Sequence, residues 1–393
     1  MSRPDLFARL AQAHAQRAHE DLLRHVHTVE HADGPCIVVA GRALLNFASN
    51  DYLGLAQHPA LREALTKAAA HSGVGATAAH LLGGHRDEHA ALEEKLARWT
   101  GRERALLFST GYMANLGVLG ALLRDGDTCV QDKLNHASLL DGARLSGAQL
   151  RRYRHADVGS ASQQLATDPD AAALLASDGV FSMDGDVAPL VELAALCTKQ
   201  QTTLMVDDAH SLGVFGAQGA GCAAELAQQD VPVLMATLGK ALGVAGAFVA
   251  GSAVLVDGLV QFARTYVYTT AMPPALAAAA SAAVDVARDD RERRARLHQR
   301  IAQFRDGAAA RGIALLDSPS AIQPVLFGAS DAALAAARQL ETHGFYVPAI
   351  RPPTVPAGKA RLRVTLSAAH TESDVARLLD ALARVVPPAH GAA

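Results

Sequence analysis

Between Ala105 and Asp207 short apolar runs alternate with helix-patterned stretches. ALLFS leads to a helix from about Tyr112, TCVQD to a helix near Ala137, and LRRYR to a further helix; ALLASDGVFS is followed by a helix at Leu190 to Gln200 and then by TLMVDD. Strands and helices that take turns over short connections predict a mostly parallel sheet covered by helices on both faces. The fold class expected is therefore α/β. The 393 residues hold enough chain for about two to three domains at roughly 150 residues each.

Outside that stretch the rhythm changes. Leu6, Leu10, Ala13, Leu22, Leu23 and Val26 recur at helical spacing and predict an amphipathic opening helix over Asp5 to His27, followed by the strands CIVVAG and ALLNFAS. Between Pro59 and Gly101 the pattern is helical, broken by GVGATAAHLLGGH. The alanine-rich run Ala275 to Val286 continues into RDDRERRARLHQR and predicts one long helix with a solvated charged face, because acids interrupt the bases. From Ile313 a smaller α+β unit is expected: ALLDS, IQPVLFG, a helix over Asp331 to His343, YVPAI, RLRVTLS, and a last helix opened by a Thr371/Asp374 capping box. The expected divisions are an N-terminal segment 1–55, a large α/β domain 56–287 and a small C-terminal α+β domain 288–393.

Charge excludes some partners. With 36 basic against 39 acidic residues the net charge is −3, so no global field favours nucleic acid or anionic lipid. Cys36, Cys129, Cys197 and Cys222 form no CxxC pair and no zinc-type spacing, which points to a reducing, cytoplasmic setting. Arg3, Asp5 and Arg9 interrupt the apolar run that an export signal needs. From Val231 to Val256 there is a single charge, Lys240, as in a membrane helix; the glycines at 239, 243, 246 and 251 and the clusters VPVLM and AFVAG instead predict two buried strands joined by a turn.

Chemistry is expected where polar residues end apolar strands. Asp207 follows Leu204, Met205 and Val206, with His210 three residues on. An acid there faces the edge where α/β folds bind ligands, and its partner could be a cationic ring nitrogen, a metal or an arginine; a plain turn or N-cap aspartate is the alternative. Lys240, in TLGKALG, is an ammonium in apolar surroundings, where burial lowers the pKa and makes the amine nucleophilic, as a Schiff-base lysine requires. Strand-end acid and buried lysine together suit pyridoxal phosphate, whose ring nitrogen wants an acid and whose aldehyde wants an amine. FSTGYMAN places Gly111 and Tyr112 at a strand-to-helix turn able to hold a phosphate, and His136 sits at another such turn. His85, Glu88 and His89 spell HxxEH, an inverted zinc-protease pattern, but no third ligand suggests itself and no metal is expected.

NHAS, GVFSMDGD, VDDAHSLGVFG and TLGKALG, in that order, resemble the α-oxoamine synthases, a subgroup of the fold-type-I pyridoxal-phosphate enzymes. NFASNDYLGL, SAIQPVLFG and AIRPPTVPAGKARLRVTLSAAHT resemble the branch that serves biotin biosynthesis, and the similarity runs from about Leu6 to Val386. The resemblance implies a PLP-dependent acyltransferase joining L-alanine to a pimeloyl thioester, on coenzyme A or acyl carrier protein, with loss of carbon dioxide. It implies that Lys240 carries pyridoxal 5′-phosphate, that Asp207 pairs with the ring nitrogen, and that Ser182 and His210 bond the ring oxygen. His136 would stack over the ring and touch substrate. Gly111, Tyr112 and Thr237 would hold the phosphate, Arg351 with Asn50 the amino-acid carboxylate, and Arg24 and Thr354 the acyl substrate. A homodimer is implied as well. A related activity such as glycine C-acetyltransferase and a catalytically silent subunit of the same fold are the alternatives.

Overall fold

The alternating segment folds into a seven-stranded sheet in the order Arg104–Phe108, Ala247–Gly251, Val233–Thr237, Thr203–Asp207, Ala173–Asp178, Thr128–Asp132, Gln149–Tyr153. Neighbours from Val233–Thr237 to Gln149–Tyr153 pair in parallel, whereas Ala247–Gly251 runs antiparallel to both of its neighbours. The structure is a computed structural model and describes residues 3–386.

Period-two side-chain alternation explains why such strands read as unbroken apolar runs. In Thr203–Asp207, Met205 packs into one core with Ala114, Val118 and Leu119 of the helix Gly111–Leu122. Leu204 and Val206 pack into another with Leu193, Ala194 and Cys197 of the helix Leu190–Lys199. Both faces of this central strand are therefore buried and its end is what meets a ligand, whereas the edge strand Gln149–Tyr153 is largely half-exposed. The uncharged stretch around Lys240 is the predicted pair of buried strands, Val233–Thr237 and Ala247–Gly251, joined by a turn. Among the described residues no helix is long and apolar enough to cross a membrane.

By packing, the chain divides into one unit of Asn50–His298, which holds this sheet, and another made of Met1–Ser49 with Gln299–Ala393. In the second unit Val29–Asp33, Cys36–Val39 and Arg42–Asn46 form an antiparallel meander, and Phe345–Tyr346 adds in parallel to its last strand. Ile322–Gly328, Ala360–Thr365 and Ala349–Ile350 form a small antiparallel sheet. The Thr371/Asp374 capping box is present, each side chain accepting the other residue's N–H.

Three expectations need correction. The opening helix ends early, spanning Leu6–His19, and buries none of its side chains. The expected long helix is two, Pro274–Asp289 and Arg291–Ala310. Asp290 leaves helical geometry at φ −80°, ψ 78°, and its carboxylate accepts the N–H of Arg293 at 2.8 Å, so a capping side chain starts a new helix inside a helix-favouring composition. ALLDS is not a strand: the Arg305 guanidinium donates to Leu316 O at 3.1 Å and to Ser318 O at 2.9 Å, and the Gln323 amide donates to Ser318 O at 3.0 Å, so side chains take carbonyls that a ladder would use.

Candidate active site

Parallel strands end together, and their ends place Asp178, Asp207 and Thr237 at one edge of the sheet, beside the helix start at Gly111. There a cavity of about 180 Å³ is lined by Gly111, Tyr112, His136, Asp207, His210, Thr237 and Lys240, together with Asn115, Ser138 and Asp178. Most of the predicted cofactor residues thus meet in one place.

Asp207 is held from two sides, by the Ala209 N–H on Oδ1 at 3.1 Å and by the Asn115 amide on Oδ2 at 2.8 Å. The second amide proton of Asn115 goes to Ser138 Oγ at 2.8 Å, so the serine hydroxyl must point its own proton elsewhere, and His136 Nδ1 lies 2.7 Å away. Nδ1 also accepts the Ser138 N–H at 3.3 Å. The ring is therefore an acceptor at Nδ1 and carries its proton at Nε2. Burial lowers the His136 pKa, opposed by Asp207 and reinforced by Lys240, which favours this neutral form. Asn115, Ser138 and Asp178 were not singled out from sequence; an asparagine inside the apolar helix Gly111–Leu122 was the available signal.

Asp178 is buried, its Oδ2 accepting the His136 N–H at 3.1 Å, and desolvation together with Asp207 raises its pKa. His210 Nδ1 lies 2.6 Å from the buried Tyr52 hydroxyl, which also reaches Asn50 Oδ1 at 3.3 Å. Of the two adjacent acids only Asp207 faces the cavity. Asp208 is bonded by the Ser211 hydroxyl and the Ala223 N–H, and burial raises its pKa to about 6. Tyr112 turns its hydroxyl to Asp141, with its ring edge-on to His136 at 6.4 Å.

Pyridoxal phosphate fits these residues. Thr237 Oγ1 is buried without a hydrogen-bond partner beside the helix start, where the first-turn N–H groups of the helix lack intrahelical acceptors. A Cβ at Gly111 would meet Thr237 Cγ2 at 2.7 Å and narrow that cradle. Ser182 lies on the turn after Ala173–Asp178 and is not among the cavity's lining residues. Arg24, Arg351 and Thr354 belong to the other unit, around a cavity of about 720 Å³ there. Arg24 Nη2 donates to Thr354 Oγ1 at 3.2 Å, and Arg351 donates to the carbonyls of Asp21 and Leu23.

The HxxEH pattern gains the third imidazole that the sequence did not suggest: nitrogens of His80, His85 and His89 lie within 4.8 Å of one another. His89 is nonetheless occupied at both nitrogens, Nδ1 accepting the Arg86 N–H at 2.9 Å and Nε2 donating to Met272 O at 2.8 Å. Glu88 accepts the Ser72 hydroxyl.

A family model for aminotransferase class I and II matches residues 42–382. The 8-amino-7-oxononanoate synthase of Methylococcus capsulatus is 55% identical over 379 residues, 96% of this chain and 98% of that protein. That of Xylella fastidiosa is 51% identical over 387 residues, 98% of this chain and 96% of its own. Among solved structures, serine palmitoyltransferase from S. paucimobilis superimposes with a TM-score of 0.93 at 29% identity, covering 97% of this chain and 98% of its own. An 8-amino-7-oxononanoate synthase from Francisella tularensis gives 0.76 at 31%, covering 87% and 97%. With identities above one half across nearly the whole length and the fold-type-I architecture in place, this chain belongs to the 8-amino-7-oxononanoate synthase family.

Proposed function

We propose that this chain is a pyridoxal-phosphate-dependent acyltransferase of biotin biosynthesis, condensing L-alanine with a pimeloyl thioester to give 8-amino-7-oxononanoate, carbon dioxide and the free thiol. The acyl group would arrive on coenzyme A or acyl carrier protein, and the working form would be a cytoplasmic homodimer. The observation that carries the reading is the hydrogen-bond chain Asp207–Asn115–Ser138–His136 along the cavity that Lys240 also lines.

Bound there, the cofactor supplies an electron sink for the charge left on Cα of alanine when its proton, and later carbon dioxide, departs. The chain's own residues do the rest. The Asp207 carboxylate, fixed by Asn115 and Ala209, stands ready to keep a ring nitrogen protonated, which strengthens the sink. His136, a neutral imidazole on the cavity wall, would pack on the cofactor and offer its Nε2–H to substrate. The Lys240 amine, on the cavity wall, would hold the cofactor and, when free, would take and return the Cα proton. Gly111, Tyr112 and Thr237 hold the phosphate, and Ser182 and His210 the ring oxygen, with His210 set by Tyr52. Arg351 with Asn50 is assigned to the alanine carboxylate and Arg24 with Thr354 to the acyl donor. Arg351 must then exchange its bonds to the Asp21 and Leu23 carbonyls for the substrate.

The test uses purified protein with pyridoxal phosphate. Visible absorbance that disappears in Lys240→Ala, and a borohydride-trapped peptide containing Lys240, support the reading; a colourless protein in the presence of cofactor overturns it. Alanine and glycine offered with pimeloyl, acetyl and succinyl thioesters then test the substrate assignment, which stands only if alanine with the pimeloyl donor is preferred.

A further inference from the structure

His155 lies outside the cavity, in the turn after Gln149–Tyr153, and no step above uses it. Each of its ring nitrogens meets a carboxylate, Nδ1 at 3.0 Å from Asp132 Oδ1 and Nε2 at 2.7 Å from Asp186 Oδ2. A neutral imidazole donates from one nitrogen only; two bonds to acceptor-only partners require the doubly protonated ring. Phe181, fully buried, packs edge-on against it at 4.4 Å, and the Asp132 side chain is buried, which shelters the Asp132 contact, while His155 and Asp186 are each about a quarter exposed.

The two carboxylates belong to the two turns that carry His136 and Ser182. Asp132 also accepts the N–H groups of Leu134 and Ala156, each at 2.8 Å, and so shapes the turn that leads into His136. Asn135 in that turn is tied to Ala176 O and to the Asp178 N–H. On the other side, Phe181 N donates to Asp186 O at 3.0 Å and Gly185 N to Phe181 O at 2.8 Å, closing the turn that carries Ser182.

We infer that His155, as an imidazolium held between Asp132 and Asp186, is a positioning residue that clamps these two turns and thereby fixes His136 and Ser182 for the cofactor. The inference rests on the cofactor roles proposed for those two residues. Burial opposes the charge, but the bonds to Asp132 and Asp186 outweigh it and raise the His155 pKa to about 10. The other charged or titratable groups nearby are Arg152, Tyr153 and Asp178, which act on Asp132, and the Arg154–Asp157 pair on the same turn.

The experiment compares wild type with His155→Gln, which cannot reach both carboxylates with one amide nitrogen. In protein without cofactor, ring-nitrogen NMR shifts assigned by the substitution should show His155 doubly protonated at pH 8; a neutral ring there overturns the inference. With cofactor, His155→Gln should weaken pyridoxal-phosphate binding and lower kcat by roughly tenfold or more at pH 7.5, as expected for losing a bond to a charged group. The KM for alanine should change little. The ratio of wild-type to variant affinity should fall towards one as pH passes 10. An affinity within twofold of wild type, or a ratio independent of pH, overturns the clamp. Should His155→Gln fail to fold, Asp186→Ala removes the acceptor from the other side and must shift cofactor affinity in the same direction. If wild type binds no cofactor at all, the functional reading fails instead, while the NMR result still decides the state of His155.

Discussion

The neutrality and the tautomer of His136 follow from a proton count that begins at Asn115. Asn115 spends both amide protons on Asp207 and Ser138, so the serine hydroxyl is left to donate to the histidine. Ser138→Ala removes that donor and leaves a buried Asn115 proton unmatched; we expect kcat to fall roughly tenfold with the cofactor still bound, measured by steady-state turnover beside visible absorbance. Asp207→Asn should be harsher, about 10²-fold or more in kcat, because an amide does not keep the ring nitrogen protonated. Lys240, Asp207 and His210 were legible as cavity-lining candidates because a charged or titratable group in or just after an apolar strand needs a reason to be there, whereas His136, in a turn, stood out only through the resemblance carried by NHAS. Asn115, Ser138 and Tyr52 were not, since a small amide, a hydroxyl or a phenol in a helix or loop reads equally well as a cap or as filling, and only the fold brings Tyr52 to His210 across 158 positions.

Elements are decided by their ends, and the ends are where composition misleads. Nothing in VARDDRERRAR interrupts helix propensity, yet Asp290 caps a new helix there. Asp290→Ala should cost about 1 kcal/mol, and Thr371→Ala a similar amount at the start of Glu372–Val385, both measurable by denaturant unfolding. The alternating core was legible because its central strands show apolar runs long enough to be buried on two faces and the turns between them are short; the edge strand Gln149–Tyr153, with Arg151 and Arg152, is the exception. The opening helix was overread: its apolar spacing continues to Val26, but the chain leaves helical geometry at Asp21, with φ +54°. That local break carried no glycine or proline to announce it.

Across the whole molecule, protonation sets how stability varies with pH. His370 is buried against Phe47, with Nδ1 accepting the Ser367 N–H and Nε2 facing Asn46 O, and burial lowers its pKa to about 4. Its folded pKa lies below the unfolded value of about 6.5, so the unfolded chain binds the proton more readily. His370 therefore favours folding fully above about pH 6.5 and loses that contribution as pH falls towards 4. Thermal melts across this range should show the stability gap between wild type and His370→Gln narrowing with acid. His155 has the opposite sign: its pKa is raised, so its contribution is complete below about pH 6.5 and drains away as pH rises to about 10. The union of the two chain ends in one packed unit was the least legible feature, because pairings such as Leu45 with Phe345 join residues whose spacing carries no periodic signal.

The reversed strand Ala247–Gly251 has a consequence for the lysine itself. A residue leaving a parallel strand ordinarily passes into a crossover helix, anchored at one end; here the chain doubles back after nine residues into the adjacent strand, so Lys240 is moored fore and aft to the same sheet. Leu238 N to Gly246 O and Val244 N to Leu238 O cinch the loop, and Gly243, at φ +67°, approaches Ala56 so closely that a methyl group would sit 2.4 Å from its backbone nitrogen. Gly243→Ala should therefore loosen the mooring, seen as faster amide exchange over 238–246 and a less uniform orientation of the amine, even where the rest of the sheet keeps its protection.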